Sequence, residues 1–349
     1  MSLVSKPPAD LGPAGTSLIE ATDGPPLLAV RHLSKHFSAR ATGNGRGDII
    51  RAVDDISFQV RAGETLGLVG ESGSGKTTTA RCILRAITPT CGALEFLRRD
   101  GTVVDLAVQT ERQLRPLRRE MQMIFQDPRA SLDPRMTVQN IVGEPLLVHR
   151  LARGAELRDR VAAILQKVGL KSEHMNRFPG AFSTGQRQRI GIARALIMQP
   201  SFIVADEPVS TLDVSVQAQV LNLLKDLQQE FHLTYLFVAH NLDVVRYFCD
   251  RVAVMYAGRV IEIADTRSLF SNPLHPYTQA LLASAPLPDP DARMQFFASG
   301  ERVDPDDLRA GCAFHSQCGY GITRCKTETP SLRDLSGGRK VACHLSPRS

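Results

Sequence analysis

Apolar and polar residues alternate along LLAVRHLSKHF (27–37) and again along AVDDISFQV (52–60), the period of two expected of strands with one buried face. Between them Ala39–Asp48 (ARATGNGRGD) reads as a loop, so the two segments predict an antiparallel hairpin. From Thr65 the pattern becomes a short apolar run, a glycine-rich turn and then helical spacing over Lys76–Ile87. Helices are predicted over Leu157–Leu170, closing beside Gly169, and over Gln186–Met198, stopped before Pro200. Phe202–Ala205 and Leu233–Ala239 are continuous apolar runs, the mark of buried strands. Between these, Val216, Val220, Leu223, Leu224, Leu227 and Phe231 recur at intervals of three, four and seven, one face of a helix. Val252–Ile263 predicts a second hairpin turning at Ala257-Gly258. Strands alternating with helices predict an α/β fold with a largely parallel central sheet, to which the front strands add an antiparallel portion.

Composition narrows the classes. At 349 residues, 43% hydrophobic and 22% charged, the chain has ordinary globular usage and a prior of two domains, which excludes a fibrous, disordered or small disulfide-stapled protein. Residues 1–27 are rich in Pro, Gly and Ala without periodicity and read as a flexible tail. After about Asp265 the composition shifts to Pro-rich loops and four closely spaced cysteines, which places a domain boundary there: 28–265 and 266–349. No apolar run approaches the roughly 18 residues that cross a bilayer, and the N-terminus has no apolar core of a secretory signal, so the expected compartment is the cytosol. The net charge is +6, but acidic residues interleave with basic ones almost everywhere. The densest basic stretch, Arg112–Arg119, reads as a solvated face; with no Trp and no interleaved aromatic residues, nucleic acid is not an expected partner.

Two motifs carry chemistry. Gly70-Glu71-Ser72-Gly73-Ser74-Gly75-Lys76-Thr77 fits G-x-x-x-x-G-K-T, the phosphate-binding P-loop. Glycines let successive backbone N–H groups turn inward at phosphate oxygens, and the helix that follows offers its positive end. Gly70, Ser72, Gly73, Gly75, Lys76, Thr77 and Thr78 are therefore the expected nucleotide-binding positions, with Lys76 on the β/γ-phosphates and the Thr77 hydroxyl on Mg²⁺. Much later in the chain, the apolar strand Phe202–Ala205 ends in Asp206 and Glu207. A carboxylate pair there makes a Walker B site, Asp206 for Mg²⁺ and Glu207 to polarise the attacking water.

Around these motifs the chain resembles the ATP-binding-cassette (ABC) family, because further elements occur in that family's order over residues 28–265. Gln126 in MIFQDPRASLDP is similar to the Q-loop glutamine, which senses the metal and the γ-phosphate. Phe182-Ser183-Thr184-Gly185-Gln186 resembles the signature that opens a helix, with Ser183, Gly185 and Gln186 as its nucleotide contacts. Ser210-Thr211-Leu212-Asp213 is similar to the D-loop, His240 to the switch histidine, and Phe37 lies where the family sets an aromatic ring against adenine. Two positions depart from the family pattern: Thr184 replaces a glycine of the signature, and Thr211 an alanine of the D-loop. The resemblance implies a P-loop ABC ATPase with a mixed sheet core, an antiparallel subdomain and a helical subdomain. It also implies two cassettes facing head to tail, each ATP lying between the P-loop of one and the signature helix of the other.

Asn272-Pro273-Leu274-His275-Pro276-Tyr277-Thr278 resembles the segment that follows the cassette in the oligopeptide/dipeptide importer branch, and it also reads as a turn entering a helix near Tyr277. That branch implies a peripheral ATPase on the cytoplasmic face of the inner membrane. Its partners would be a second ATPase subunit (a paralogue or a copy of this chain), two integral membrane permease subunits and an extracytoplasmic solute-binding protein. The cargo would be peptides or a related small solute. Cys312, Cys318, Cys325 and Cys343 form C-x5-C-x6-C-x17-C, which in a reducing cytosol favours metal ligation over disulfides. Thiolates suit zinc or an iron–sulfur cluster, and unligated thiols remain a third reading; the branch's similar tail implies a 4Fe-4S cluster. Cys82, Cys91 and Cys249 read as small core residues. A soluble ABC ATPase of translation or DNA repair is the alternative function, but such relatives carry two cassettes or long insertions and this chain has one P-loop. A regulatory module without turnover is a third, against which Glu207 and His240 speak.

Overall fold

The computed structural model describes residues 25–38, 49–284 and 311–346; the predicted loop 39–48 and most of the 1–27 tail lie outside the described residues. The front hairpin is present. Strand β1 (Leu28–Ser38) pairs antiparallel with β2 (Ile49–Val60), Leu28 opposite Val60 and Phe37 opposite Ile50. Strand β3 (Thr65–Val69) is buried throughout and runs through the glycine-rich loop into helix α1 (Lys76–Ile83). That helix stops short of the predicted Ile87 because Arg85 takes a left-handed conformation, φ +54°, and its N–H turns back to Cys82 O at 3.0 Å. Strands β4 (Cys91–Leu97) and β5 (Val103–Asp105) complete a four-stranded antiparallel sheet in the order β2-β1-β4-β5.

Helix α2 (Glu111–Leu117) leads into β6 (Met121–Ile124), after which the chain makes a helical subdomain of α3 (Pro128–Ser131), α4 (Val138–Val148), α5 (Gly154–Lys167) and α6 (Thr184–Leu196). The α5 helix closes as its sequence predicts, with Gly169 left-handed and Leu170 N–H returning to Leu165 O at 2.8 Å. Then follow β7 (Phe202–Asp206), α7 (Val214–Phe231), β8 (Thr234–Ala239), α8 (Leu242–Phe248), β9 (Arg251–Tyr256) and β10 (Arg259–Asp265). The carboxyl-terminal part adds α9 (Thr266–Ser271), α10 (Pro276–Ala283), α11 (Thr323–Thr327), β11 (Arg333–Asp334) and β12 (Lys340–Val341).

The larger sheet has the order β11-β12-β10-β9-β3-β8-β7-β6, with β6, β7, β8, β3 and β9 parallel and the remaining pairs antiparallel. Strand alternation gives it two cores. Ile203 and Ala205 face the helical side with Val220 and Leu224, whereas Phe202 and Val204 face the antiparallel sheet with Leu94 and Phe96. A sheet covered on both faces explains the uninterrupted apolar runs in the sequence. Among the described residues no helix is long and apolar enough to cross a membrane.

The expected boundary near Asp265 marks a change of composition, while the packing continues across it. Strand β12 pairs with β10, Glu262 opposite Val341, and Ala342 N–H donates to Ile261 O at 2.8 Å. The fully buried Glu262 also takes Arg339 Nη2 at 3.1 Å, so the cysteine-bearing segment is stitched to the main sheet. Leu269, Tyr277 and Phe314 belong to the same core as the central strands.

Candidate nucleotide site

The P-loop connects β3 to α1 and is shaped by neighbours as well as by its glycines. Gly70, Gly73 and Gly75 have φ of +151°, +82° and +103°. A Cβ at Gly70 would lie 2.2 Å from Met255 O, and one at Gly75 would lie 2.2 Å from Ala52 O, so both backbones are pressed against carbonyls of adjoining strands. At Gly73 a Cβ would meet open space, and the positive φ alone asks for glycine. Lys76 is buried; its Nζ donates to Gly70 O at 2.7 Å and Glu71 O at 2.8 Å. Burial holds its pKa below the ordinary lysine value, against the pull of Glu207, Asp206 and Glu71. Ser72 is exposed at the loop's rim, and Thr77 and Thr78 form the first turn of α1.

Strand β7 ends beside that turn. Thr77 Oγ1 donates to Asp206 Oδ1 at 3.1 Å, and burial raises the Asp206 pKa while this bond lowers it. A hydroxyl and a carboxylate, both hard oxygen donors, are the set that fits Mg²⁺. Glu207 leaves the strand with φ +46°, its N–H held by Val238 O at 3.0 Å. Its Oε2 accepts from Gln126 Nε2 at 2.9 Å and lies 3.0 Å from His240 Nδ1. The three residues follow β6, β7 and β8, which are neighbours in a parallel register, so their carboxyl ends form one row and the side chains meet at one oxygen. A cavity of about 200 Å³ lined by Glu207, Ser210 and His240 opens beside them.

Ser183 caps α6 in a capping box: its Oγ accepts Gln186 N–H at 3.3 Å, and Gln186 Oε1 accepts Ser183 N–H at 3.1 Å. Gly185 has no spare room, since a Cβ there would lie 2.6 Å from Val216 Cγ1 where α6 meets α7. Thr184 is the first residue of α6 and half-exposed. Ser210 Oγ donates to Glu207 O at 3.1 Å, which ties the D-loop to the Walker B turn. Asp213 is exposed and sits at the start of α7 without capping it through its side chain. Phe37 is 39% exposed on β1, with Lys35 Nζ 4.9 Å from its ring centroid.

The structure thus brings Lys76, Thr77, Asp206, Glu207, Gln126 and His240 together. Ser183, Gly185, Gln186, Asp213 and Phe37 make no hydrogen bond to that group among the described residues. Sequence reasoning missed one element of the site: Tyr277, whose hydroxyl accepts Glu71 N–H of the P-loop at 3.1 Å. In the sequence the Asn272–Thr278 segment carries a resemblance to the importer branch and a turn into a helix, and neither places Tyr277 beside the phosphate loop.

A family model described as ABC transporter matches residues 53–210, and one described as oligopeptide/dipeptide transporter, C-terminal region, matches 261–325. A Brucella ovis chain named as a peptide import ATP-binding protein is 49% identical over 319 residues, covering 91% of this chain and 97% of its own. The chain belongs to the ABC transporter ATP-binding family. The oligopeptide transport ATP-binding protein AppF of Bacillus subtilis is 45% identical over 325 residues, 91% of this chain and 97% of that one. Among solved structures, the dimeric ATP-binding cassette MJ0796 bound to ADP and Pi superposes with a TM-score of 0.59 at 29% identity, covering 69% of this chain and 99% of that one. As a member of this family the chain is an ATP-hydrolysing cassette, and Lys76, Gln126, Ser183, Asp206 and Glu207 fall inside the matched stretch.

The four cysteines of the carboxyl-terminal part lie near one another. Cys312, Cys318, Cys325 and Cys343 are free thiols, gathered in one region where Cys312 N–H donates to Cys325 O at 2.7 Å. Burial pushes the Cys312 thiol up to about 11, with Cys325, Cys343 and Cys318 adding to the rise; burial, Cys318 and Cys325 likewise raise Cys343. Yet among the described residues no three His, Cys, Asp or Glu side chains are grouped tightly enough to hold a metal ion. At Cys312 and Cys343, burial and the neighbouring thiols favour S–H over thiolate in the metal-free chain.

Proposed function

We propose that the chain is the ATP-hydrolysing subunit of an importer of peptides or related small solutes. It works at the cytoplasmic face of the cell membrane as one of two cassettes beneath two integral permease subunits, with cargo delivered by an extracytoplasmic binding protein. The match of residues 261–325 to the oligopeptide/dipeptide transporter C-terminal region and the names of the relatives support the peptide class. They speak against a soluble cassette of translation or DNA repair.

The convergence of Gln126 and His240 on one oxygen of Glu207, beside Lys76 and the Thr77–Asp206 pair, carries the ATPase reading. Inward N–H groups of the P-loop and Lys76 bind the phosphates, and Phe37 packs on the adenine. Thr77 and Asp206, aided by Gln126, would hold Mg²⁺, which when bound neutralises phosphate charge. Glu207 orients the attacking water and takes its proton, while Gln126 and His240 fix the carboxylate's direction. The signature residues Ser183, Gly185 and Gln186, together with Asp213, stand apart from this group, in keeping with a site completed by the facing cassette, a paralogue or a second copy. The capped start of α6 offers that γ-phosphate a helix N-terminus. A 4Fe-4S cluster, or zinc, belongs at the four gathered thiols if the tail is loaded, and the visible spectrum and metal content of anaerobically purified protein decide it.

The test is Glu207→Gln in the assembled complex. Phosphate release falls by about 10²- to 10⁴-fold while ATP binding persists; an unchanged rate overturns the assignment.

A further inference from the structure

We propose that Tyr277 is a positioning residue for the phosphate loop, through which the carboxyl-terminal extension sets the affinity of the ATP site. The proposal rests on the ATPase reading above. Tyr277 is 2% exposed, and its hydroxyl oxygen accepts the Glu71 N–H at 3.1 Å, a bond between residues 206 positions apart. The Glu71 carbonyl, at the other end of the same residue, accepts Lys76 Nζ at 2.8 Å. One residue therefore joins the tyrosine to the lysine that meets the phosphates. A shift of Glu71 toward or away from Tyr277 moves the carbonyl that holds Lys76 Nζ.

The anchor behind the hydroxyl is rigid. Tyr277 lies at the start of α10, where its own N–H donates to His275 Nδ1 at 3.0 Å, and the fully buried Glu262 of β10 accepts the Leu274 and His275 N–H groups, each at 2.9 Å. Its ring packs on Tyr256, centroids 4.5 Å apart, and Phe314 stands edge-on to both at 5.5 and 5.4 Å. Tyr256 ends β9 next to Met255, the residue whose carbonyl confines Gly70. Phe314 lies between Cys312 and Cys318. The aromatic layer thus runs from the thiol-bearing segment to the wall of the P-loop. Burial keeps the Tyr277 phenol protonated well above the ordinary tyrosine range, so its oxygen remains a neutral acceptor. Loop N–H groups generally point inward at phosphate; the Glu71 N–H is committed outward, to the extension.

The experiment compares wild type, Tyr277→Phe, Phe314→Leu and the double variant, with KM for ATP and kcat read in the assembled complex and the thermal midpoint read on the full chain. Tyr277→Phe keeps the ring stack and removes one hydrogen bond. Its expected effect is a rise in KM of about 3- to 10-fold, the size of one such bond, with a smaller change in kcat and a thermal midpoint near that of wild type. Phe314→Leu raises KM in the same direction, and the double variant adds little to Tyr277→Phe, because the path passes through the hydroxyl. A purely structural tyrosine would lower the thermal midpoint or the active fraction and leave KM in place. That result, or multiplying KM effects in the double variant, overturns the proposal while leaving the ATPase reading intact. A wild-type complex that does not hydrolyse ATP overturns both.

Discussion

Acid should loosen the extension through a single side chain. His275 caps α10 from inside the core, 1% exposed, with its Nδ1 accepting the Tyr277 N–H at 3.0 Å. Only the neutral ring can accept there, and burial pushes its pKa down to about 4 from the ordinary 6.5. In the unfolded chain the imidazole takes its proton near pH 6.5, before the folded protein can. The unfolded state therefore binds more protons between those values. The stabilisation is fully present above about pH 6.5 and is lost as pH falls toward 4. The gap corresponds to roughly 3 kcal/mol in all, of which about 2 kcal/mol is gone by pH 5. His275→Asn supplies a side-chain oxygen that can cap the same N–H and does not titrate. Urea unfolding followed by far-ultraviolet circular dichroism, at steps from pH 7.5 to 5, gives both curves. Other groups titrate alike in the two proteins, so the difference between the curves isolates this residue. The expected result is a wild-type stability that drops about 2 kcal/mol further than that of His275→Asn by pH 5. Parallel pH profiles would refute the reasoning.

Two further outcomes follow from the packing. Arg251 Nη1 lies 3.1 Å from Glu64 Oε1 in a pair whose side chains are 11% and 7% exposed, and burial already raises the Glu64 pKa. Arg251→Ala leaves that carboxylate alone in the core and should cost about 3–5 kcal/mol in chemical denaturation, much of it recovered by adding Glu64→Gln. Thr184 places a β-branched side chain at the first position of α6, where the family's pattern has glycine, so Thr184→Gly should raise ATP turnover in the assembled complex. An equal or lower rate in a phosphate-release assay counts against that reading.

What the sequence revealed and what it hid divide along physical lines. The central parallel strands β7 and β8 were legible because each is buried on both faces and reads as an unbroken apolar run, Phe202–Ala205 and Leu233–Ala239, whereas β6 (MQMI), half-buried at Gln122 and Met123, left no such mark. Glu207 was legible as a carboxylate ending an apolar strand in a chain with a P-loop, whereas Gln126 and His240 were legible only through the resemblance to the ABC family; the parallel order of β6, β7 and β8 explains why the three meet. The extension offered no such periodicity. Its strands β11 and β12 have two residues each, too short to leave a pattern, and yet they join the tail to β10. The change of composition near Asp265 was therefore legible, but the pairing that continues across it was not. The cysteine spacing could not report whether four sulfurs stand at ligating distance, since that depends on side-chain placement.

The Tyr277–Glu71 bond was hidden for another reason: it spans most of the chain, and a tyrosine hydroxyl accepting one backbone N–H leaves no mark on the residues around either partner. Its consequence reaches beyond the fold. A cassette whose P-loop is braced on one side by its own β2 and β9, and on another by a tyrosine of the extension, has an ATP affinity that the extension can alter without touching the nucleotide. The bracing atoms on the first side are backbone carbonyls of the sheet, fixed by strand pairing. The bond to Tyr277 depends on a helix start held by one neutral histidine and one buried carboxylate. Of the two supports it is the one that a change of proton at His275 can release.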